Sequence, residues 1–409
     1  MAVVSDIDVT ELRRQRRELR RRQVRRRRVT ALAVLVVLAV AAVLGLAKLV
    51  AGATASAGSV LLQPVSSALP QTPFHQLPPE EIRGVHITGP LMSLPGKFSQ
   101  YLALKKDGLN TVEVDLKDES GNVSFLQGAP RIATTDGAAR AYFSLHTVVQ
   151  QAHKAGIYLI GRVVTFEDPI TGAAHPELAI HRSDGSLWHT SGGLAWLNPY
   201  NRTAWKYDVD VAVAAAKAGF DEIQFDYVRF PSDGDISIMR FPGPHPQTKN
   251  ATVPAFLRYA RSRLHPLGVR LSADVFGLSA SHDLGIGQLP ATIGGIVDAI
   301  YPMTYPSHYT AGEYNLANPN DAPGATVMFS LQDFRDQLPL GGARLVPWLQ
   351  DFSLYRTYTP ADVAAQIQAA RAMHTAGFML WNAAGVYTAK ELKPAAAPPP
   401  LPVLPAPQL

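Results

Sequence analysis

Ala218-Gly219-Phe220-Asp221-Glu222-Ile223-Gln224-Phe225-Asp226-Tyr227-Val228-Arg229-Phe230-Pro231 changes its period after the first two residues. Gly219 is the stop of a preceding helix, a left-handed position where a residue without Cβ carries no steric cost. Ile223, Phe225 and Tyr227 then alternate with Gln224, Asp226 and Val228, which is the period of a strand. An aspartate inside such a run is costly unless its carboxylate has partners or a task. Asp226 falls near the carboxyl end of the strand, where α/β barrels keep their chemistry. It reads as a catalytic carboxylate, or else as a buried acid paired with an arginine such as Arg229.

The same unit recurs along the chain. Gly108 precedes Thr111–Lys117, Gly156 precedes Ile157–Phe166, Gly268 precedes Val269–Leu278 and Gly377 precedes Phe378–Ala384. A glycine helix stop before each β-rich run is the mark of βα alternation and a parallel sheet. With Gly84–Gly89, Ala299–Tyr305 and Ala343–Phe352 there are eight candidate strands. Eight strands with intervening helices predict an α/β fold of the (β/α)8 TIM barrel type over residues 81–392. No G-x-G-x-x-G turn follows the first strand, which argues against a dinucleotide site.

Parity then assigns faces. In the second strand Val112, Val114 and Leu116 face the helices, so Glu113, Asp115 and Lys117 face inward. In the fifth, Ser272, Asp274 and Phe276 face inward. The fourth adds Gln224 and Asp226, and the first adds His86. Three aspartates thus converge on one end, and like charges that close raise at least one pKa, setting an acid beside a base. A salt-bridge network with Lys117, Arg162 or Arg229 is the competing account. Glu167 ends the third strand on the same rim, where Asp168 reads as a cap. Trp348 and Trp381 fall toward the ends of the last two strands, and Trp188 and Trp196 lie in the loop after the third. Such aromatic faces stack on sugar rings, with Asn198 and Tyr305 as further polar contacts for a glycan. The remaining histidines lack metal-ligand spacing, so no metal is expected.

With 47% apolar and 17% charged residues, the 409-residue chain suits a sizeable core. It has no cysteine, which excludes thiol catalysis and a disulfide framework. The net charge of +5 is local: residues 1–50 hold twelve basic and four acidic side chains of the 38 and 33 in the chain, leaving 26 against 29. The body is therefore slightly acidic, and nucleic acid is not an expected partner. Eleven arginines between Arg13 and Arg28 precede an apolar run over 29–50. Roughly 20 apolar residues span a bilayer, and arginine-rich flanks stay cytoplasmic. The expectation is a basic cytoplasmic segment (1–28), a transmembrane helix (29–50) and a flexible linker (51–80), with the domain outside. A cleaved signal peptide, giving a secreted protein, is the alternative. Residues 393–409, rich in proline and alanine, read as a disordered tail.

The segment G-F-D-E-I-Q-F-D-Y-V-R-F-P, with W-L-N-P-Y-N upstream and I-Y-P-M-T-Y-P downstream, resembles the bacterial glycoside hydrolase domain family first catalogued as a domain of unknown function. The likeness runs over roughly residues 82–388. More distantly, G-F-D-x-I-x-F-D is similar to the fourth strand of α-galactosidase-like and α-amylase-like hydrolases, whose terminal Asp is the nucleophile. That resemblance implies a TIM barrel and gives Asp226 the nucleophile's position. The basic residue those enzymes place two before it is Gln224 here, and the strand-six acid of the α-galactosidase group has no counterpart in Tyr301–Tyr305. In the chitinase-like pattern the acid would fall at Val228.

The function expected is a membrane-anchored, extracytoplasmic glycoside hydrolase acting on a cell-envelope or exported polysaccharide. Asp226 is nucleophile or base and Asp274 the acid, with Asp115 the alternative partner. His86, Glu113, Glu167, Asn198, Gln224, Arg229, Tyr305, Trp348 and Trp381 are the expected substrate contacts. No cofactor is required, and a monomer is expected. A non-catalytic carbohydrate-binding barrel is the second reading.

Overall fold

The computed structural model describes residues 74–245 and 247–395. The apolar run over 29–50 and most of the proline-rich tail lie outside the described residues. Among the described residues no helix is long and apolar enough to cross a membrane.

The strands are β1 (Ile82–Ile87), β2 (Thr111–Lys117), β3 (Tyr158–Val164), β4 (Glu222–Asp226), β5 (Arg270–Phe276) and β6 (Ala299–Met303). β7 is in two short pieces, Arg344–Leu345 and Trp348–Gln350, and β8 is Gly377–Trp381. Each strand pairs in parallel with its successor, and β8 pairs with β1, so the sheet closes into an eight-stranded barrel. Five longer helices lie between strands: α1 (Leu145–Lys154), α2 (Arg202–Ala218), α3 (Lys249–Leu264), α4 (Pro323–Gln337) and α5 (Pro360–Ala372). Short helical segments, among them Lys97–Leu102 and Pro290–Ile293, fill the connections after β1 and β5.

Local sequence explains α2. Asn201 caps it by accepting from the backbone amides of Thr203 and Ala204, and Gly219 ends it with φ 105°. Trp205, Val209, Ala212 and Ala216 recur at helical spacing and are buried. The outward residues of β2, Val112, Val114 and Leu116, belong to the same layer between sheet and helices. A second core fills the barrel itself, built from Ile82, Tyr158, Ile160, Tyr301, Val346, Trp348 and Met379. Gly84 has to be glycine for this inner core, because a Cβ there would lie 2.1 Å from Met379 Sδ.

Residues 74–80, the end of the expected linker, lie against the amino ends of the strands. His75 N–H donates to Gly268 O at 2.9 Å, Arg270 donates to Gln76 O at 2.7 Å and Arg344 donates to Pro79 O at 2.6 Å. The packed body therefore begins upstream of Glu80.

One face assignment is corrected. β2 and β3 pair Asp115 with Arg162 but Lys117 with Val163, a bulge that absorbs one residue. Lys117 is thereby turned from the barrel interior to the helix layer. Its Nζ lies 2.6 Å from Asp208 on α2 and 2.8 Å from Asp168, all three being fully buried.

Candidate active site

β4 delivers Asp226 to the top of the barrel, and the chain turns sharply after it. Tyr227 takes φ 51°, a left-handed conformation unusual for a bulky residue. In that conformation its N–H donates to Asp226 Oδ1 at 2.6 Å. That hydrogen bond orients the carboxylate, at a conformational cost of order 1–3 kcal/mol. Its other oxygen accepts from Arg162 Nε at 3.0 Å and Nη2 at 2.7 Å, while Arg162 Nη1 donates to Asp115 Oδ1 at 2.6 Å. Arg162 comes from β3, where it stands beside Gln224 in register. The cation that meets Asp226 thus comes from the neighbouring strand. Arg162, more than Arg229, is the partner of Asp226.

Asp274 sits on β5, beyond Ala273, which pairs with Phe225. Its Oδ1 accepts from Gln224 Nε2 at 2.5 Å and from Trp348 Nε1 at 2.6 Å. Burial, reinforced by the nearby Asp226 and Glu113 carboxylates, raises its pKa well above the usual carboxylate range. Asp115 behaves oppositely. Burial opposes its ionisation, but His86 and Arg162 beside it bring its pKa below the ordinary value. His86 Nδ1 lies 2.6 Å from Glu113 Oε2 and its Nε2 3.4 Å from Asp115 Oδ2. Burial works to lower the His86 pKa, yet Asp115 and Glu113 outweigh it and bring it up to about 9. Burial in turn raises the pKa of Glu113. Trp381 roofs this group, its ring 4.4 Å from the His86 ring and 5.3 Å from the Arg162 guanidinium.

Above these groups opens a cavity of about 650 Å³, lined by Asp226, Asp274, Arg229, Tyr305, Trp348 and Trp381 among the expected residues. Asp115, expected as the alternative partner of Asp226, and Glu113, His86 and Gln224, expected as substrate contacts, are buried and lie outside this lining. Glu167 is held at the end of β3 by a bridge to Trp196 and lies outside the lining. Burial raises its pKa to about 7 against the lowering influence of Arg229. Asn198 is a structural residue. It is fully buried, its amide donates to Pro242 O at 3.0 Å and its oxygen accepts from Tyr200 N at 3.0 Å. The expected four-tryptophan groove is reduced to two. Trp188 and Trp196 are buried within the β3–β4 connection, Trp188 donating to Asp235 O in the segment after β4 at 2.8 Å. Tyr227, Met303, His308 and Tyr309 are among the further wall residues and were not legible as site residues, while Phe276 stands inward as parity places it. From the sequence Arg162 is only one of three possible salt-bridge partners; the register of β3 against β4 is what brings it to Asp226. Among the described residues, no group of three or more His, Asp or Glu side chains could hold a metal ion.

No curated protein matches this chain. A hypothetical protein from Ruminiclostridium thermocellum of known structure is 35% identical, covering 47% of this chain and 97% of its own, with a TM-score of 0.43. The glycoside hydrolase domain of PgaB (BpsB) from Bordetella bronchiseptica covers 74% of this chain and 94% of its own at 13% identity and a TM-score of 0.56. That second likeness is one of fold, a barrel on which many chemistries are built. Residues 84–387 match the family described as "putative glycosyl hydrolase domain", an interval that runs from β1 past β8 and takes in every group at the cavity floor. The chain belongs to that glycosyl hydrolase domain family.

Proposed function

We propose that the domain is a glycoside hydrolase using Asp226 and Asp274, anchored by residues 29–50 outside the cytoplasmic membrane and acting on an envelope or exported polysaccharide. The observation that carries the chemistry is the contrast between two carboxyl groups facing one cavity. Asp226 is ion-paired to Arg162, while burial favours the protonated form of Asp274. Cleavage of a glycosidic bond needs one carboxyl group in each state. Asp274 gives its proton to the leaving oxygen as the bond to the anomeric carbon breaks. Asp226 either attacks that carbon or takes a proton from the water that does. Trp348 and Trp381 offer ring faces for the sugar, and Tyr305 a hydroxyl. A carboxyl separation of about 5–5.5 Å would give retention and about 6.5–9.5 Å inversion.

The doubly bonded contact of Arg162 with Asp226 favours the second reading, a carbohydrate-binding barrel whose acids only bond hydroxyls. A protein comprising residues 74–395, assayed against a panel of envelope and exported polysaccharides, separates the two. Release of reducing ends, abolished in Asp226→Asn while glycan binding persists, is the expected result. Binding without cleavage in the unaltered protein would leave only the second reading.

A further inference from the structure

Arg229 is the guanidinium in the cavity wall that makes no ion pair among the described residues. It is 7% exposed and lines the cavity. Its guanidinium is 4.6 Å from the Phe276 ring centre, 4.9 Å from that of Trp196 and 5.1 Å from that of Tyr227. Nη1 donates to Phe230 O at 3.2 Å and to Ser232 Oγ at 3.1 Å. Among the described residues, Nε and Nη2 have no hydrogen-bond partner, and no carboxylate oxygen comes within 4.0 Å of the guanidinium. Arg162, by contrast, is fully engaged by Asp115 and Asp226. Arg229 therefore presents to the cavity a guanidinium edge that Arg162 does not, with Asp226 and Glu167 near it but not in contact. A guanidinium held among three aromatic rings, with two donor nitrogens free at the cavity wall, is built to receive a planar acceptor pair.

We propose that Arg229 and Ser232 form a subsite for the carboxylate of an acidic sugar, so that the substrate is a polysaccharide containing uronic acid residues. The aromatic rings fix the guanidinium plane, and Ser232 supplies a hydroxyl at its edge. The one guanidinium edge left free suits a monoanionic, planar carboxylate. A dianionic phosphate would remain uncompensated near Asp226 and Glu167. The identification of the ligand as a glycan rests on the hydrolase reading, but the test below measures binding and cleavage separately.

The probes are hyaluronan, alginate, polygalacturonate and xanthan, each before and after chemical reduction of its carboxyl groups, with dextran sulfate as the sulfate arm. Binding is measured by calorimetry on the Asp226→Asn protein, so that bound polymer is not consumed. The expected result is that at least one acidic polymer binds and that carboxyl reduction weakens it tenfold or more. The ratio should shrink at high salt and fall to about one in Arg229→Gln. Since Arg229 packs on three aromatic rings, Ser232→Ala serves as a milder variant in which the ratio drops only in part. Equal binding of native and reduced polymers, binding of dextran sulfate alone, or no binding of any acidic polymer would overturn the subsite. Cleavage of a neutral glycan together with such a result would leave the hydrolase reading intact. Binding of an acidic polymer that the unaltered protein never cleaves would do the reverse.

Discussion

Asp274 Oδ1 accepts from both Gln224 and Trp348, and these donors oppose the burial that raises its pKa. Trp348→Phe removes one bond to the ionised form, so the pKa should rise further. If Asp274 is the acid, the alkaline limb of the pH–rate profile moves to higher pH in that variant. A limb that does not move places the acid elsewhere. Asp274→Asn should cripple turnover on polysaccharide yet spare activated aryl glycosides, whose leaving group needs no proton. Asp226→Asn should lose about three or more orders of magnitude on both, with binding largely kept. His86 carries a stability signature. Its folded pKa, about 9, lies above the ordinary histidine value of 6.5, so its contribution is complete below about pH 6.5 and is lost as pH rises through 9. That difference corresponds to about 3–4 kcal/mol as an upper bound. Denaturant unfolding at pH 6 and pH 10 should show this loss in the unaltered protein and not in His86→Gln.

At the scale of the element, the bulge in β2 exchanges one buried arrangement for another. Alternation alone would send Lys117 into the barrel beside Arg162 and His86. The extra residue turns it to α2, where Asp208 and Asp168 neutralise it. Burial raises the Asp208 pKa to about 7 even with Lys117 beside it. Lys117→Met leaves two buried carboxyl groups without their cation, and the expected cost is about 3–5 kcal/mol in urea unfolding. Adding Asp208→Leu should recover part of that loss. A loss in the double variant equal to the sum of the two single losses would mean that the pair is not coupled. Because the bulge follows Asp115, it changes parity without disturbing the acid that faces Arg162. The eight strand positions, their order and the glycine stop at Gly219 were legible, since each depends on a short run of residues. The bulge was not, because T-V-E-V-D-L-K contains nothing that marks it.

For the whole molecule, the barrel's closed lower end extends to residue 74. A protein starting at residue 81 loses the contacts of His75, Gln76 and Pro79 with Gly268, Arg270 and Arg344. It should melt several degrees below one starting at residue 74, measured by calorimetry at equal concentration. Equal melting temperatures would show those contacts to be superficial. The proposed topology has its own test. Protease added to intact protoplasts should remove the domain, and a domain cut only after lysis would reverse the orientation.

Sequence by itself determined the closed α/β architecture and brought Asp115, Asp226 and Asp274 toward one end, because strand period and helix stops are local properties of the backbone. It also marked the arginine-rich and apolar segments that precede the domain. Tertiary structure alone decided which cation meets Asp226. Arg162 and Arg229 are equivalent on composition, and only the register of β3 against β4 puts the first on the carboxylate and leaves the second free in the cavity wall. It likewise decided that Trp188, Trp196 and Asn198 are buried in the β3–β4 connection, while Trp348 and Trp381 face the cavity. Those outcomes depend on what packs across each residue, and that partner lies tens of residues away in the chain.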